Sequence, residues 1–221
     1  MTTFYLIRHG EHALLGRVLA GRMPGVPLSE RGRAEAGWLA ERLAEERIDA
    51  LYASPIARTR ETAAIIAERL RLPVICREDV IELDYGEWTG ASFETVRGDP
   101  RWQLWSRCRS IATLPGGESM RAVQQRIVAA LFDLYARHPN GRVAIVSHGD
   151  VIRAALLFAL GMPLDFYARI EVAPASISTL RLEASGIRVL GLNERPRLGA
   201  DNPAPGGEAA GGGDAGDNRR H

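Results

Sequence analysis

The chain opens on four apolar residues, Phe4-Tyr5-Leu6-Ile7, that stop abruptly at Arg8, His9 and Gly10. A short unbroken apolar run with such an end predicts a strand buried on both faces. Val143-Ala144-Ile145-Val146 repeats the design and ends in Ser147-His148-Gly149. Between the two runs the period alternates. Ser29 is placed to cap a helix running to about Arg47, with Ala36, Leu39, Ala40 and Leu43 on one face. Asp49 to Ala53 reads as a strand. Ser54-Pro55 breaks it and starts a helix to about Leu70, with Thr59, Ala63, Ile66 and Leu70 at helical spacing. Pro73 to Cys76 is a short strand, and Val80 to Gly90 a loop.

Phe93 to Arg109 holds one or two short helices, split near Gly98-Asp99-Pro100. After the turn Pro115-Gly116-Gly117, Glu118-Ser119 begins a long helix. Met120, Val123, Ile127, Leu131 and Leu134 stripe it, and His138-Pro139-Asn140-Gly141 ends it. A helix over about Asp150 to Leu160 follows the second His-Gly. Ser176–Leu182 and Ile187–Leu192 form a hairpin pattern. The alternation predicts an α/β fold, a three-layer α/β/α sandwich with a largely parallel sheet covered on both faces. Such sheets bind ligands at the carboxyl ends of their strands. Both His-Gly segments are delivered there, which predicts two imidazoles in one pocket.

From Asn193 the composition changes to Gly, Ala, Asp, Asn and Pro with almost nothing apolar and bulky. The expected division is a catalytic domain over residues 1–192 and a disordered tail over 193–221.

Composition narrows the chemistry. The 28 basic residues of the 221 are all Arg, and there is no Lys. Lysine Schiff bases, pyridoxal-phosphate linkage and Walker-type phosphate lysines are excluded. Any phosphate must be gripped by guanidinium groups. A net charge of +1 gives no field to recruit nucleic acid or an anionic membrane. No apolar run approaches the roughly 18 residues of a membrane span. A strand begins almost at the first residue, leaving no room for a signal peptide, and Cys76 and Cys108 form no C-x-x-C pair. The expected location is the cytoplasm.

Arg8-His9-Gly10-Glu11 resembles the signature of the histidine phosphatase superfamily, the phosphoglycerate mutase-like fold. Four further segments, from Ser54 to Ala63, Glu82 to Gly90, Pro115 to Ser119 and Ser147 to Gly149, resemble its other motifs in family order. The resemblance covers about residues 3 to 182 and implies hydrolysis of a small-molecule phosphate ester through a phosphohistidine, in the phosphatase branch. It also implies that Glu82 is the family's acid. Two positions depart from the pattern: His12 stands where many relatives carry Ser or Thr, and Ala13, Leu14 and Leu15 stand where an Asn is common.

The residue types fit that chemistry. A neutral imidazole, His9, can attack phosphorus. Arg8 and Arg58 can pair with phosphate oxygens, His148 can add a donor, and the Gly149 N–H at a helix start favours an anion. Glu82 beside a phosphate dianion should have a raised pKa and can protonate the leaving oxygen, with Glu87 as competitor. His9, His12, His148 and Asp150 lack the H-E-x-x-H spacing of a metal site, so no metal and no cofactor are expected. The alternative activity is a 2,3-bisphosphoglycerate-dependent phosphoglycerate mutase. The compact stretch from Gly90 to Pro115 disfavours it, because the mutases resembling this chain carry a longer insertion there. A non-enzymatic phospho-ligand or protein-binding module is a third reading, disfavoured because all four central residue types are present. Arg17, Arg22, Arg97, Arg101, Arg107 and Arg109 are candidates for reading a second acidic group. The expected partner is a small-molecule phosphate ester, with no nucleic acid, no membrane, and a homodimer left open.

Overall fold

A computed structural model describes residues 1–195. Six strands form one sheet in the order β3-β2-β4-β1-β5-β6. They are β1 (Thr2–Arg8), β2 (Ala50–Ala53), β3 (Val74–Cys76), β4 (Arg142–Ser147), β5 (Ile177–Glu183) and β6 (Gly186–Glu194). The first four are mutually parallel, and β5 and β6 close one side as an antiparallel hairpin.

Side chains alternate across the sheet, and the core divides accordingly. Tyr5, Ile7, Leu51, Ala53, Ala144 and Val146 face one layer, built by α1 (Glu30–Ala44) and α2 (Ala57–Leu70). Phe4, Leu6, Tyr52, Val143 and Ile145 face the other, where α5 (Met120–Arg137) and α6 (Gly149–Ala159) pack. The stripe from Met120 to Leu134 is fully buried there. This is the three-layer α/β/α sandwich that the periodicity predicts. Two short helices, α3 (Phe93–Arg97) and α4 (Pro100–Arg107), lie between β3 and α5. Asp99 caps α4 by accepting from the Arg101 N–H, with Pro100 at the first helical position.

Several boundaries differ from the sequence pattern. Helix α1 stops at Ala44 rather than near Arg47, because Arg47 takes a left-handed φ of 50° that ends the helix. Helix α2 starts at Ala57, not at Pro55, with Ile56 extended before it. The boundary expected at residue 192 falls within β6. Strand β6 reaches Glu194, and the Asn193 side chain accepts from the Ala173 N–H at 2.7 Å. Hydrogen bonding holds these residues although their composition already resembles the segment beyond. The rest of the expected tail, 196–221, lies outside the described residues.

Candidate active site

Register places the two histidines. Strands β1 and β4 are adjacent and parallel, with Arg8 opposite Ser147. The next residue on each strand is therefore His9 or His148, and both leave the same edge. Strand β2 flanks β4 with Ala53 opposite Val146, which brings Ser54 to that edge as well. The His9 and His148 ring centroids are 5.2 Å apart at 62°.

The loop leaving β1 is held by close backbone contact. A Cβ on Gly32 would lie 2.1 Å from the Glu11 carbonyl oxygen, and one on Gly10 would lie 2.4 Å from that of Gly32. Glycine at both positions lets the first turn of α1 press against the loop. The Glu11 N–H donates to Glu35 at 2.9 Å and completes the attachment.

His9 is buried, at 2% exposure. Its Nδ1 lies 2.8 Å from the Gly10 carbonyl oxygen. A carbonyl only accepts, so Nδ1 carries the proton and Nε2 carries the lone pair. Arg58 Nε donates to that Nε2 at 3.1 Å. Burial first, then the Arg58 and Arg8 charges, hold the His9 pKa well below the ordinary histidine value. The ring is neutral at physiological pH.

Arg58, 1% exposed, comes from the first turn of α2. Its Nη2 donates to the Gly21 carbonyl at 2.7 Å and to His148 Nδ1 at 3.2 Å. His148 Nε2 must then carry the proton, and it faces Ser54 Oγ at 2.8 Å. Burial, followed by Arg58 and His9, holds His148 well below its usual pKa. Arg8 anchors through Nη1 to the Val172 carbonyl at 2.6 Å. Gly149 lies against it: a Cβ there would sit 3.4 Å from Arg8 Cζ. The Gly149 N–H is at the start of α6, where backbone donors are free of helical partners.

Glu82 reaches the same pocket from the loop after β3. Its Oε2 is 3.8 Å from His148 Nδ1. Arg22 holds the loop, donating from Nε to the Glu82 carbonyl at 2.8 Å and from Nη2 to Glu118 at 2.9 Å. Arg126 of α5 grips Glu118 through two bonds of 2.9 and 3.1 Å. Farther along, Gly86 (φ 55°) packs so closely on the Pro115 turn that a Cβ would lie 2.2 Å from the Pro115 carbonyl oxygen. The Glu82 pKa is pushed up to about 7, by burial first and then by the nearby Asp150 charge. Glu87 points away, exposed and paired with Arg101 at 3.5 Å.

Three of the buried nitrogens that have no partner among the described residues are Arg8 Nε, Arg58 Nη1 and His12 Nδ1. All belong to residues packed around His9. Among the described residues no group of three His, Cys, Asp or Glu side chains converges as a metal site.

One functional cluster is invisible to motif reading. Asp150, one residue after the second His-Gly, accepts from the Tyr85 hydroxyl at 2.6 Å and from the Tyr167 hydroxyl. Arg153 donates to the Tyr167 oxygen at 2.6 Å, and the Arg109 guanidinium lies 3.6 Å from the Tyr167 ring centroid. Burial alone would raise the Asp150 pKa, but Arg109, Arg153 and the two hydroxyls outweigh it and lower it. A polar Asp at the start of an otherwise apolar helix was the available signal. Among the candidates for a second acidic group, Arg22 serves the acid loop and Arg101 pairs with Asp99 at 2.7 Å. Arg109 faces the Asp150 cluster. Arg17, Arg97 and Arg107 make no described side-chain bond.

A fold with paired histidines and buried guanidinium groups at one strand edge defines a class of phosphoryl-transfer protein. The chain belongs to the histidine phosphatase superfamily (branch 1), whose family model matches residues 4–195. It is 34% identical over 204 residues to "Phosphoserine phosphatase 1" of Hydrogenobacter thermophilus, covering 90% of this chain and 95% of that one. It is 29% identical to "Probable phosphoglycerate mutase GpmB" of Enterobacter sp., covering 84% of this chain and 87% of the relative. The chain spans about half the length, 51%, of some other curated relatives it matches. Among solved structures, a mutant phosphoserine phosphatase of Entamoeba histolytica bound to phosphoserine superposes with a TM-score of 0.79 at 26% identity. That match covers 87% of this chain and 97% of the other. No helix among the described residues is long and apolar enough to cross a membrane.

Proposed function

We propose that this protein is a phosphomonoesterase that hydrolyses a small-molecule phosphate ester through a phosphohistidine on His9. The observation that carries the reading is the His9 tautomer. Nδ1 is bound to the Gly10 carbonyl, and the Nε2 lone pair faces a pocket with unpartnered nitrogens on Arg8 and Arg58. Phosphoryl transfer needs a nucleophile, neutralisation of the equatorial oxygens and a proton for the leaving oxygen.

His9 Nε2 forms the bond to phosphorus as the ester P–O bond breaks. Glu82 gives its proton to the leaving alkoxide, and the alcohol departs. The carboxylate of Glu82 then takes a proton from water, whose oxygen bonds to phosphorus as the N–P bond breaks. Inorganic phosphate leaves and the His9 lone pair returns. The Gly10 carbonyl stabilises the charge on the phosphorylated ring. Arg8, Arg58 and the Gly149 N–H bind the phosphate oxygens. His148 spends its resting proton on Ser54. A dianion beside it raises its pKa and lets a protonated Nδ1 join the phosphate donors once Arg58 turns to the ligand. No metal is needed, because the guanidinium groups supply the positive charge.

Turnover of a chromogenic phosphomonoester tests the enzyme reading against a binding module. Rapid quench should trap an acid-labile, base-stable phosphoenzyme in wild type and none in His9→Ala. A trapped phosphoenzyme in His9→Ala removes the assignment. The mutase named among the relatives supports a second reading, an isomerase. Phosphoglycerate interconversion that depends on added 2,3-bisphosphoglycerate would establish it. The compact segment holding α3 and α4 supports the hydrolase.

The same reading takes residues 1–195 as the catalytic unit and the cytoplasm as its place, supported by two free cysteines. It assigns no role to nucleic acid, supported by the net charge of +1. Sedimentation decides between a monomer and a homodimer.

A further inference from the structure

His12 lies three residues past His9, in the turn that follows β1. It is 5% exposed, and its ring centroid is 5.4 Å from that of His9 at 48°. Its carbonyl accepts from the Leu15 N–H at 3.0 Å, which fixes the turn and aims the ring inward. Neither ring nitrogen makes a described hydrogen bond, and Nδ1 is fully buried without a partner. A buried unpaired donor or acceptor costs on the order of 1–3 kcal/mol. Evolution toward stability alone would replace such a ring with an apolar one.

The company of this nitrogen decides its meaning. Arg8 Nε and Arg58 Nη1 are also buried and unpartnered. Both guanidinium groups lie near enough to His12 that, after burial, their charges lower its pKa, to about 4. Three nitrogens around one nucleophile, each lacking an acceptor, form a receptor for a ligand with several acceptor oxygens in tetrahedral array. A neutral imidazole adds a donor beside two cations without adding a third repelling charge. His9 has its proton fixed on Nδ1 by Gly10. His12 has no such anchor, so it is free to carry its proton on the nitrogen that meets an acceptor.

We propose that His12 is a further phosphate-binding residue of this site, its Nδ1 donating to an oxygen of the phosphoryl group held by Arg8, Arg58 and His9. The inference rests on the reading of this pocket as a phosphate site. It gives the turn after β1 a phosphate contact made by a ring rather than by a hydroxyl.

The test uses the full chain, inorganic phosphate as probe, and two variants. His12→Phe keeps a ring and removes the N–H. His12→Gln keeps a donor. Calorimetric phosphate affinity should fall by about tenfold in His12→Phe, the loss typical of one hydrogen bond to a charged group, and recover most of that in His12→Gln. KM for nitrophenyl phosphate should move with it. In 15N-histidine spectra the His12 ring signals, identified by their absence in His12→Gln, should shift as phosphate is added to wild type and to His9→Ala. Unchanged affinity in folded His12→Phe overturns the proposal, as does an equal loss in both variants. If His12→Phe does not fold, ring signals indifferent to phosphate overturn it. Wild type that neither binds phosphate nor turns over nitrophenyl phosphate overturns the pocket reading along with it. Wild type that does both while His12 stays indifferent overturns this inference alone.

Discussion

Arg58 Nε donates to the one lone pair with which His9 can attack phosphorus, at 3.1 Å. In the proposed mechanism the resting site therefore holds its nucleophile neutral and masked, and the ligand draws the guanidinium away. Arg58→Ala unmasks His9 but removes a phosphate clamp and a charge that keeps the ring deprotonated. kcat/KM should fall by ~10²–10³-fold, the range for loss of one electrostatic stabiliser. His9 should titrate at higher pH than in wild type. In wild type, lowering pH through the usual histidine range should not protonate His9, and kcat/KM should show no limb there assignable to it. A limb at that pH, abolished by His9→Ala, would count against the neutral ring.

The raised Glu82 pKa sets a basic limb. The carboxyl is the acid form below about 7 and is lost as pH rises through that value. Turnover of alkyl phosphates should decline above it. Glu82→Gln should abolish the limb and cost ~10²–10⁴-fold on alkyl phosphates, with a smaller loss on nitrophenyl phosphate, whose anion leaves unaided. Equal losses for both, with chemistry rate-limiting, would exclude Glu82 as the acid.

Glu82 also links pH to stability. Its folded pKa lies above the unfolded value, so the folded chain binds the extra proton between the two, and stability falls as pH rises through that window. Glu82→Gln never pays to ionise in the pocket. The Tm of the variant relative to wild type should therefore be higher at pH 8 than at pH 5.

Asp150 should control where that limb lies. Its charge lifts Glu82, although burial is the larger cause. Asp150→Asn should move the alkaline limb to lower pH without restoring an ordinary carboxylate value. It should also destabilise the fold by ~1–3 kcal/mol, because an amide leaves one acceptor oxygen for the Tyr85 and Tyr167 hydroxyls and removes the charge that faces Arg109 and Arg153. An unmoved limb would show that Asp150 only packs.

Gly32 tests the seat of the site loop. Gly32→Ala would place a methyl 2.1 Å from the Glu11 carbonyl oxygen. Denaturant unfolding should show ~1–3 kcal/mol of destabilisation, typical of forced overpacking. Phosphate affinity should fall with it, since the same loop carries His9 and His12.

Periodicity determined the fold class of this chain. The apolar runs at Phe4 and Val143 become the adjacent central strands, and the stripe from Met120 to Leu134 lies in the core, because a buried face needs that spacing wherever it packs. The motif order also determined which residues meet, since His9 and His148 each follow a buried strand directly. Tertiary structure alone decided how they meet. The parallel register set Arg8 opposite Ser147, so the two rings share an edge. The distances that give Nε2 of His9 the lone pair and spend the His148 proton on Ser54 come from contacts between strands that are far apart in sequence. Strand β6 continues through Asn193 and Glu194 by hydrogen bonding rather than by apolar burial, which hydropathy cannot register. The Asp150 cluster was equally silent, because Tyr85, Arg109, Arg153 and Tyr167 carry no common spacing. Only packing of their separate segments against the start of α6 turns them into one charged network around a buried carboxylate.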